Sequence, residues 1–238
     1  MSTPTGTLYL IPVPLGATPP QAVLAPPVLA CLRPLTHFVV ENAKSARAFL
    51  KAAGTELPLQ ALQIAELNEH TPASALPGLL APLLAGHDLG LLSEAGCPAV
   101  ADPGAALVAL AQQQSIRVVP LVGPSSLLLA LMASGLNGQC FAFHGYLPAK
   151  EGERQKALRE LENESARRQQ TQIFIETPYR NRALFDTLLK SCRPATRLTV
   201  ATDLTLPGES VRTLTIGAWQ KTAAPELDRR PTVFLLLA

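Results

Sequence analysis

The first half of the chain alternates short apolar runs with segments of helical periodicity. Residues 7–11, 37–41 and 89–92 are rich in Leu, Ile and Val and have the length of buried strands. Residues 43–53 and 71–85 carry helix-forming residues, and each of these segments is followed by a glycine that predicts its end. Strands and helices that alternate in this way favour a parallel sheet.

Two further segments of this half predict less regular structure. Residues 21–32 are apolar but contain the adjacent prolines Pro26 and Pro27, so they predict two short helical pieces instead of one helix. Residues 59–66 are compatible with a third strand, and the pattern leaves that assignment open.

The second half of the chain closes with consecutive strands. Helices are predicted over residues 151–168, 181–192 and, more briefly, 217–221, and strands over residues 140–143, 171–176, 197–202, 210–216 and 232–237. Neighbouring strands without a long helix between them favour a mixed sheet. We therefore expect two closely packed α/β domains, residues 1–122 and 123–238, with a cleft between them.

Two loops in the centre of the chain repeat one arrangement, in which an apolar run is followed by a Gly/Pro-rich loop and then by a helical pattern. The first loop, residues 93–104, follows the run at 89–92, and the second, residues 123–126, follows the next apolar run. Loops at the carboxyl ends of parallel strands commonly bind ligands. We expect Ser93 and Gly96 to belong to such a site.

Both loops also carry residues that start helices. Asp102 and Pro103 fit an N-cap followed by a first helical residue, so we interpret Asp102 mainly as a cap and not as a ligand-binding residue. In the second loop a serine is placed to cap the helix over residues 127–134, whose first amide groups are free donors.

The composition excludes several classes of protein. A net charge of +2 is too small for a surface that is basic throughout, so any contact with nucleic acid has to be local. No uninterrupted apolar segment approaches the ~20 residues of a membrane helix, and the first residues lack the basic region of a secretory signal, so we expect a cytoplasmic protein without a membrane partner. The four cysteines have no paired spacing, so we expect no metal and no disulfide framework.

Two weaker signals have ordinary structural explanations. Gly16 follows the first predicted strand and Glu41 ends the second, but the other glycines of a dinucleotide-binding fingerprint are absent. Basic residues gather on and just before the helix over residues 151–168, where they could bind RNA phosphates. Glutamates interleave with them, however, as they do on a solvated helix face.

Five motifs follow one another along nearly the whole chain: LYLIPVPLG, LLSEAGCPAVADPG, VVPLVGPSS, AFHGYLPAK and IFIETPYRN. In order and spacing they resemble the tetrapyrrole methylase superfamily of S-adenosylmethionine-dependent methyltransferases. Within it, the chain is most similar to the branch that methylates a ribose 2′-hydroxyl of small-subunit ribosomal RNA. The resemblance implies two α/β domains, the cofactor in the cleft between them, and a homodimer.

The resemblance also implies which residues contact the cofactor. They lie at the end of, or just after, four of the predicted apolar runs and are Pro14, Ser93, Glu94, Ala95, Gly96, Ser125, Ser126, Ile175 and Thr177. The reaction is an in-line displacement at the sulfonium methyl group, which needs alignment and exclusion of water but no metal. A base beside an acceptor hydroxyl would assist it, and the sequence does not choose among the candidates Glu41, Lys44, Glu176, Tyr179 and Arg180.

Several positions depart from the ribosomal branch, chiefly on the substrate side. Where that branch has Glu-Asp-Thr-Arg, this chain has Glu41, Asn42, Ala43 and Lys44, and the exchange of Arg for Lys removes a bidentate phosphate contact. His144 stands where an acid is common. Three functions are therefore open. They are methyl transfer to RNA, above all to a ribose of ribosomal RNA; methyl transfer to a small molecule such as a tetrapyrrole; and cofactor binding by a protein whose substrate site has decayed.

Overall fold

A computed structural model describes residues 5–238. The chain divides into two compact units, the first ending at Ser125 and the second beginning at Ser126. Each unit has its own sheet and its own hydrophobic core.

The first unit contains a five-stranded sheet in which every pair of neighbouring strands is parallel. Its strands lie in the order β3-β2-β4-β1-β5 and are β1 (Leu8–Leu10), β2 (His37–Val40), β3 (Gln63–Glu66), β4 (Leu89–Leu92) and β5 (Val118–Pro120). The helices are α1 (Pro20–Val23), α2 (Pro26–Leu32), α3 (Ala43–Ala53), α4 (Leu76–Leu84) and α5 (Ala105–Gln113), with short 3-10 helices at Leu59–Ala61 and Ala73–Ala75.

Helices cover both faces of this sheet because the strands send alternate side chains to opposite faces. Phe38 of β2 is buried in a cluster with residues of α2 and α3, including Leu50. Val39, the next residue of β2, is buried in a second cluster with residues of α4 and α5, including Leu80 and Leu107. A parallel sheet covered in this way exposes its ligand-binding loops at the carboxyl ends of its strands.

The second unit contains a mixed sheet. Its strands lie in the order β6-β7-β10-β8-β9 and are β6 (Phe141–Tyr146), β7 (Thr171–Ile175), β8 (Arg197–Thr202), β9 (Ser210–Thr215) and β10 (Thr232–Leu237). β6 and β7 are parallel, whereas β10 is antiparallel to β7 and β8. The helices are α6 (Ser126–Ser134), α7 (Glu151–Arg168), α8 (Asn181–Ser191) and α9 (Ile216–Trp219). The core centres on aromatic residues, among them Phe174, Phe185, Trp219 and Phe234.

The predicted α/β class, with a parallel first sheet and a mixed second sheet, is confirmed. The open segment at residues 59–66 forms a 3-10 helix followed by β3. Gly54 ends α3 as predicted, because its φ of 79° lets its amide donate to the carbonyl of Leu50. Each helix in residues 5–238 is too short or too polar to span a lipid bilayer.

One predicted helix start is wrong. Helix α5 begins at Ala105, and the residue before it is Gly104, which has φ of 127° and provides no side-chain cap. A Cβ at Gly104 would lie 2.9 Å from Leu91 Cδ2, so this tight passage needs glycine. Asp102 and Pro103 therefore belong to the loop, and the side chain of Asp102 is available for other contacts.

Candidate functional site

The carboxyl ends of β1 and β4 are joined by a pair of backbone hydrogen bonds. The amide of Val13 donates to the carbonyl of Gly96 at 2.9 Å, and the amide of Gly96 donates to the carbonyl of Val13 at 3.1 Å. Gly96 has φ of 76°, a conformation that an L side chain rarely adopts. The structure thus fixes two of the predicted cofactor-contact loops against each other.

A cavity of about 290 Å³ opens beside this pair of loops, entirely within the first unit. Pro14, Ser93 and Glu94, three of the predicted cofactor-contact residues, line it. Its opposite wall is formed by α3, through residues that include Ser45, Phe49 and Ala52.

The α3 wall was not predicted as part of the site. The signal that could have indicated it is the spacing of Ser45, Ala48, Phe49 and Ala52, which places these residues on one face of the helix. Three of these four side chains are small, which leaves room between the helix and the loop after β1. The pattern predicts the helix itself, but what its outer face borders depends on the position of the loop after β1.

Three carboxyl groups gather where β2 and β4 end. The amide of Glu94 donates to Oε2 of Glu41 at 3.3 Å, and the Ser45 hydroxyl donates to Oε1 of Glu94. Burial raises the pKa of Glu41, and the hydrogen bond from the Glu94 amide opposes this effect. The negative charge of the Glu94 carboxylate raises the pKa of Glu41 further.

Asp102 is the third carboxyl group of this cluster, and its position corrects its interpretation as a helix cap. Burial, followed by the negative charge of Glu41, raises the pKa of Asp102 to about 6, while a hydrogen bond with Ser93 acts in the opposite direction. No arginine or lysine contributes to this shift. Asp102 therefore lies in one acidic cluster with Glu41 and Glu94 and not at the start of α5.

The segment between Glu41 and α3 has a structural role as well. Asn42 is the N-cap of α3, and its Oδ1 accepts hydrogen bonds from the amides of Lys44 at 2.9 Å and Ser45 at 3.3 Å. Lys44 itself is exposed. Asn42, which stands where the ribosomal branch has an aspartate, therefore caps α3.

Most predicted site residues of the second unit lie at or just after the end of β7. Thr177 and Arg180 both bind Oε1 of Glu176: the Thr177 amide donates at 2.7 Å, and Arg180 Nη2 and Nε donate at 2.7 and 3.0 Å. The side chain of Glu176 is only 1% exposed. Ile175 is the last residue of β7, whereas Tyr179 is 78% exposed, with the Arg229 guanidinium 6.0 Å from its ring centre.

The remaining predicted residues lie at the junction of the two units along the chain. Ser125 is the last residue of the first unit, and Ser126 is the first residue of α6. His144, noted as a departure, binds Gln172 Oε1 through Nε2 at 2.6 Å.

Helix α7 does not present all its basic residues to solvent. Arg154 is buried, and its guanidinium donates to the carbonyl of Ala149 at 2.7 Å and to the Thr187 hydroxyl at 3.1 Å. Arg167 and Arg168 pair with Glu164 of the same helix. These contacts favour a structural helix with a solvated face over an RNA-binding patch. Among residues 5–238, no three His, Cys, Asp or Glu side chains form a group that could hold a metal ion.

Comparison with known proteins gives matches along the whole chain. The ribosomal RNA small subunit methyltransferase I of Xylella fastidiosa is 36% identical over 240 residues, which cover 100% of this chain and 82% of that protein. The protein of the same name from Escherichia coli O157:H7 is 31% identical over 219 residues, covering 91% of this chain and 72% of that protein. The chain belongs to the ribosomal RNA small subunit methyltransferase I family. No family model matches the chain.

Solved structures share the fold. The methyltransferase CobJ superposes with a TM-score of 0.64 at 20% identity, covering 98% of this chain and 94% of its own. The cobalt precorrin-4 methyltransferase CbiF superposes with a TM-score of 0.61 at 12% identity, covering 97% and 94%. Family and fold together confirm the predicted resemblance to the tetrapyrrole methylases. The chain is an S-adenosylmethionine-dependent methyltransferase.

Proposed function

We propose that this methyltransferase acts on RNA, and that its acceptor is a ribose 2′-hydroxyl of small-subunit ribosomal RNA. The observation that carries the proposal is the match of the entire chain, at 36% identity, to a relative named as a ribosomal RNA small subunit methyltransferase. The motif pattern supports the ribose hydroxyl as the acceptor, since the branch it resembles methylates that group.

The cofactor is proposed to lie against the paired loops of the first unit. Pro14 and Ser93 line the cavity there, and the backbone around Ala95 and Gly96 is held in place by the hydrogen bonds to Val13. Ser125, Ser126, Ile175 and Thr177 are proposed as further contacts on the resemblance alone. When bound, S-adenosylmethionine supplies a methyl group on a positively charged sulfur.

The carboxyl groups of Glu41, Glu94 and Asp102 suit a cofactor of this charge. A local excess of negative charge attracts a cationic ligand, and among the described residues it is acidic side chains whose charges shift the pKa values of Glu41 and Asp102.

Among the candidate catalytic residues we propose Glu41 as the base, because its carboxylate lies beside the loop after β4 and burial raises its pKa. A hydroxyl that attacks a methyl group has to lose its proton, and a carboxylate whose pKa is raised accepts a proton more readily than an ordinary one. Arg180 is instead engaged with Glu176, so it is proposed to position that carboxylate. Lys44 and Tyr179 are exposed side chains that could contact substrate.

Further properties belong to the proposal: two domains with a boundary after Val122, a homodimer, a cytoplasmic location and a reaction without metal. The alternative acceptor, a tetrapyrrole, is supported by structures that share the fold at 20% identity or less. A protein with a decayed substrate site would bind the cofactor and transfer nothing.

Calorimetry and methyl transfer test the proposal in sequence. The protein should bind S-adenosylmethionine at sub-millimolar concentration, and Ser125→Trp should abolish binding without lowering the melting temperature. Transfer from labelled cofactor is then compared between total RNA and a panel of tetrapyrroles. A ribose product is identified by a dinucleotide that resists alkaline hydrolysis. Label in a tetrapyrrole would overturn the RNA proposal, and binding without any transfer would favour the decayed site.

A further inference from the structure

The cavity of the first unit has two walls of different character. One wall is the loop after β1 and the end of β4, with Pro14 and Ser93, which the proposed function assigns to the cofactor. The other wall is α3, which begins directly after Glu41 and Asn42, the segment in which this chain departs from the ribosomal branch. A methyl acceptor has to lie next to the cofactor, and a cavity bordered on both sides in this way satisfies that condition.

The charge of the lining excludes an anionic group. Among the described residues that line the cavity there is no lysine, arginine or histidine, whereas Glu94 is present. A phosphate or a carboxylate would meet the negative charge of Glu94 without a cation to offset it. The occupant is therefore neutral or carries hydrogen-bond donors.

The shape and polarity of the lining favour a flat heteroaromatic ring. Phe49, Pro14 and Pro20 provide apolar surface, and the alanines of α3 leave the wall smooth. Flat bases stack on aromatic side chains and tolerate apolar walls of this kind. Glu94 adds an acceptor at one side, held by the hydrogen bond from the Ser45 hydroxyl.

We infer that this cavity binds the nucleobase of the acceptor nucleotide, taken out of its stack, and that it favours bases with an exocyclic amino group. A carboxylate accepts a hydrogen bond from such an amino group, as glutamate does when it reads a base edge. Uracil lacks the amino group: its one donor on that edge, N3–H, lies between two carbonyl oxygens that the Glu94 carboxylate would repel. This inference rests on the proposed function, because it assumes that the acceptor is RNA.

A bulky residue in the cavity wall tests the inference. Ala52→Trp fills the cavity from α3, and because Ala52 is exposed the change does not disturb the core. Ala48→Trp is a second variant of the same kind, and Lys51→Trp is the matched control, since Lys51 is exposed on the same helix but does not line the cavity. Thermal unfolding confirms that all three fold.

The kcat/KM for RNA and the Kd of S-adenosylmethionine distinguish a loss of acceptor binding from a loss of cofactor binding. Ala52→Trp should lower kcat/KM for RNA at least tenfold, with KM rising, while the Kd of S-adenosylmethionine stays within twofold of the wild-type value. Lys51→Trp should change neither constant by more than twofold. A tenfold loss of cofactor affinity in Ala52→Trp would assign the cavity to the cofactor and overturn the inference, as would unchanged transfer to RNA.

A second measurement decides the question even if the wild-type protein methylates no RNA. Saturation-transfer NMR in the presence of saturating S-adenosylhomocysteine should detect adenosine and cytidine more strongly than uridine. The difference should vanish in Ala52→Trp, persist in Lys51→Trp and shrink in Glu94→Gln, whose amide can also donate to uracil. Equal signals from uridine, or signals unaffected by Ala52→Trp, would contradict the inference. Failure of RNA methylation alone would contradict only the proposed function.

Discussion

The backbone amide of Glu94 donates a 3.3 Å hydrogen bond to the carboxylate of Glu41, so an acid at the end of β2 holds the loop after β4. Asp102, later in the same loop, lies close enough to both acids for their charges to raise its pKa. The site therefore concentrates negative charge on a loop whose backbone is fixed by other hydrogen bonds. Such an arrangement costs stability in the free protein and suits a positively charged ligand.

The stability cost of these clustered carboxylates should appear as a pH dependence of the free energy of unfolding. The pKa of Asp102 rises from an ordinary 3.8 to about 6 in the folded protein, so both states are neutral well below pH 4 and both are charged above about pH 6. Between these limits the folded protein retains a proton that the unfolded chain has lost. Stability therefore falls as the pH rises through this window and is level above it.

Asp102→Asn should remove this fall. At pH 7.5 the variant should be more stable than the wild type by about 1 to 2 kcal/mol, because the residue is only half buried and solvent screens part of the effect. At pH 3, below both pKa values, the two proteins should unfold at the same urea concentration. Urea titrations from pH 3 to pH 8 measure the difference, and a constant difference over that range would contradict the assigned shift.

Gly96→Ala tests the loop geometry. A Cβ at this position would adopt φ of 76° and lie 3.2 Å from Leu15 Cδ2, so the variant should lose about 1 to 2 kcal/mol of stability. Because the backbone pair with Val13 would distort, the affinity for S-adenosylmethionine should also fall, and calorimetry measures it. Gly78→Ala is the matched control: it lies inside α4, has no neighbour within 4 Å and should stabilise the protein slightly. Full affinity in Gly96→Ala would separate this loop from the cofactor.

The sequence predicts local structure well where each signal is contained in the element itself. Helix α3 begins and ends where the sequence predicts because Asn42 caps one end and Gly54 the other. The start of α5 was wrong because the geometry of Gly104 depends on Leu91, a residue of another element. The role of Asp102 was missed for the same reason, since its neighbours Glu41 and Glu94 reach it only through the pairing of β2 with β4.

Arg180→Ala tests whether Arg180 positions Glu176 or acts on substrate. Removal of the guanidinium leaves a carboxylate that is 1% exposed without its cation, so the variant should lose about 3 kcal/mol of stability. The double variant Arg180→Ala, Glu176→Gln should recover part of this loss, because no buried charge remains. Arg182→Ala is the control: it breaks an exposed ion pair with Asp186 within α8 and should cost about 0.5 kcal/mol or less. An Arg180→Ala protein of full stability but lost activity would instead support a catalytic role.

Arg154→Ala distinguishes a structural arginine from an RNA contact. The guanidinium is buried and donates to the carbonyls of Pro148 and Ala149 and to Thr187, so it ties the start of α7 to α8. Its removal leaves these acceptors unsatisfied and should lower the free energy of unfolding by about 2 to 4 kcal/mol. Arg159→Ala, on the exposed side of the same helix, should cost less than about 0.5 kcal/mol. Measured at a temperature where both variants are folded, RNA affinity should keep the same salt dependence in Arg154→Ala as in the wild type. A slope reduced by about one unit would show that Arg154 contacts phosphate after all.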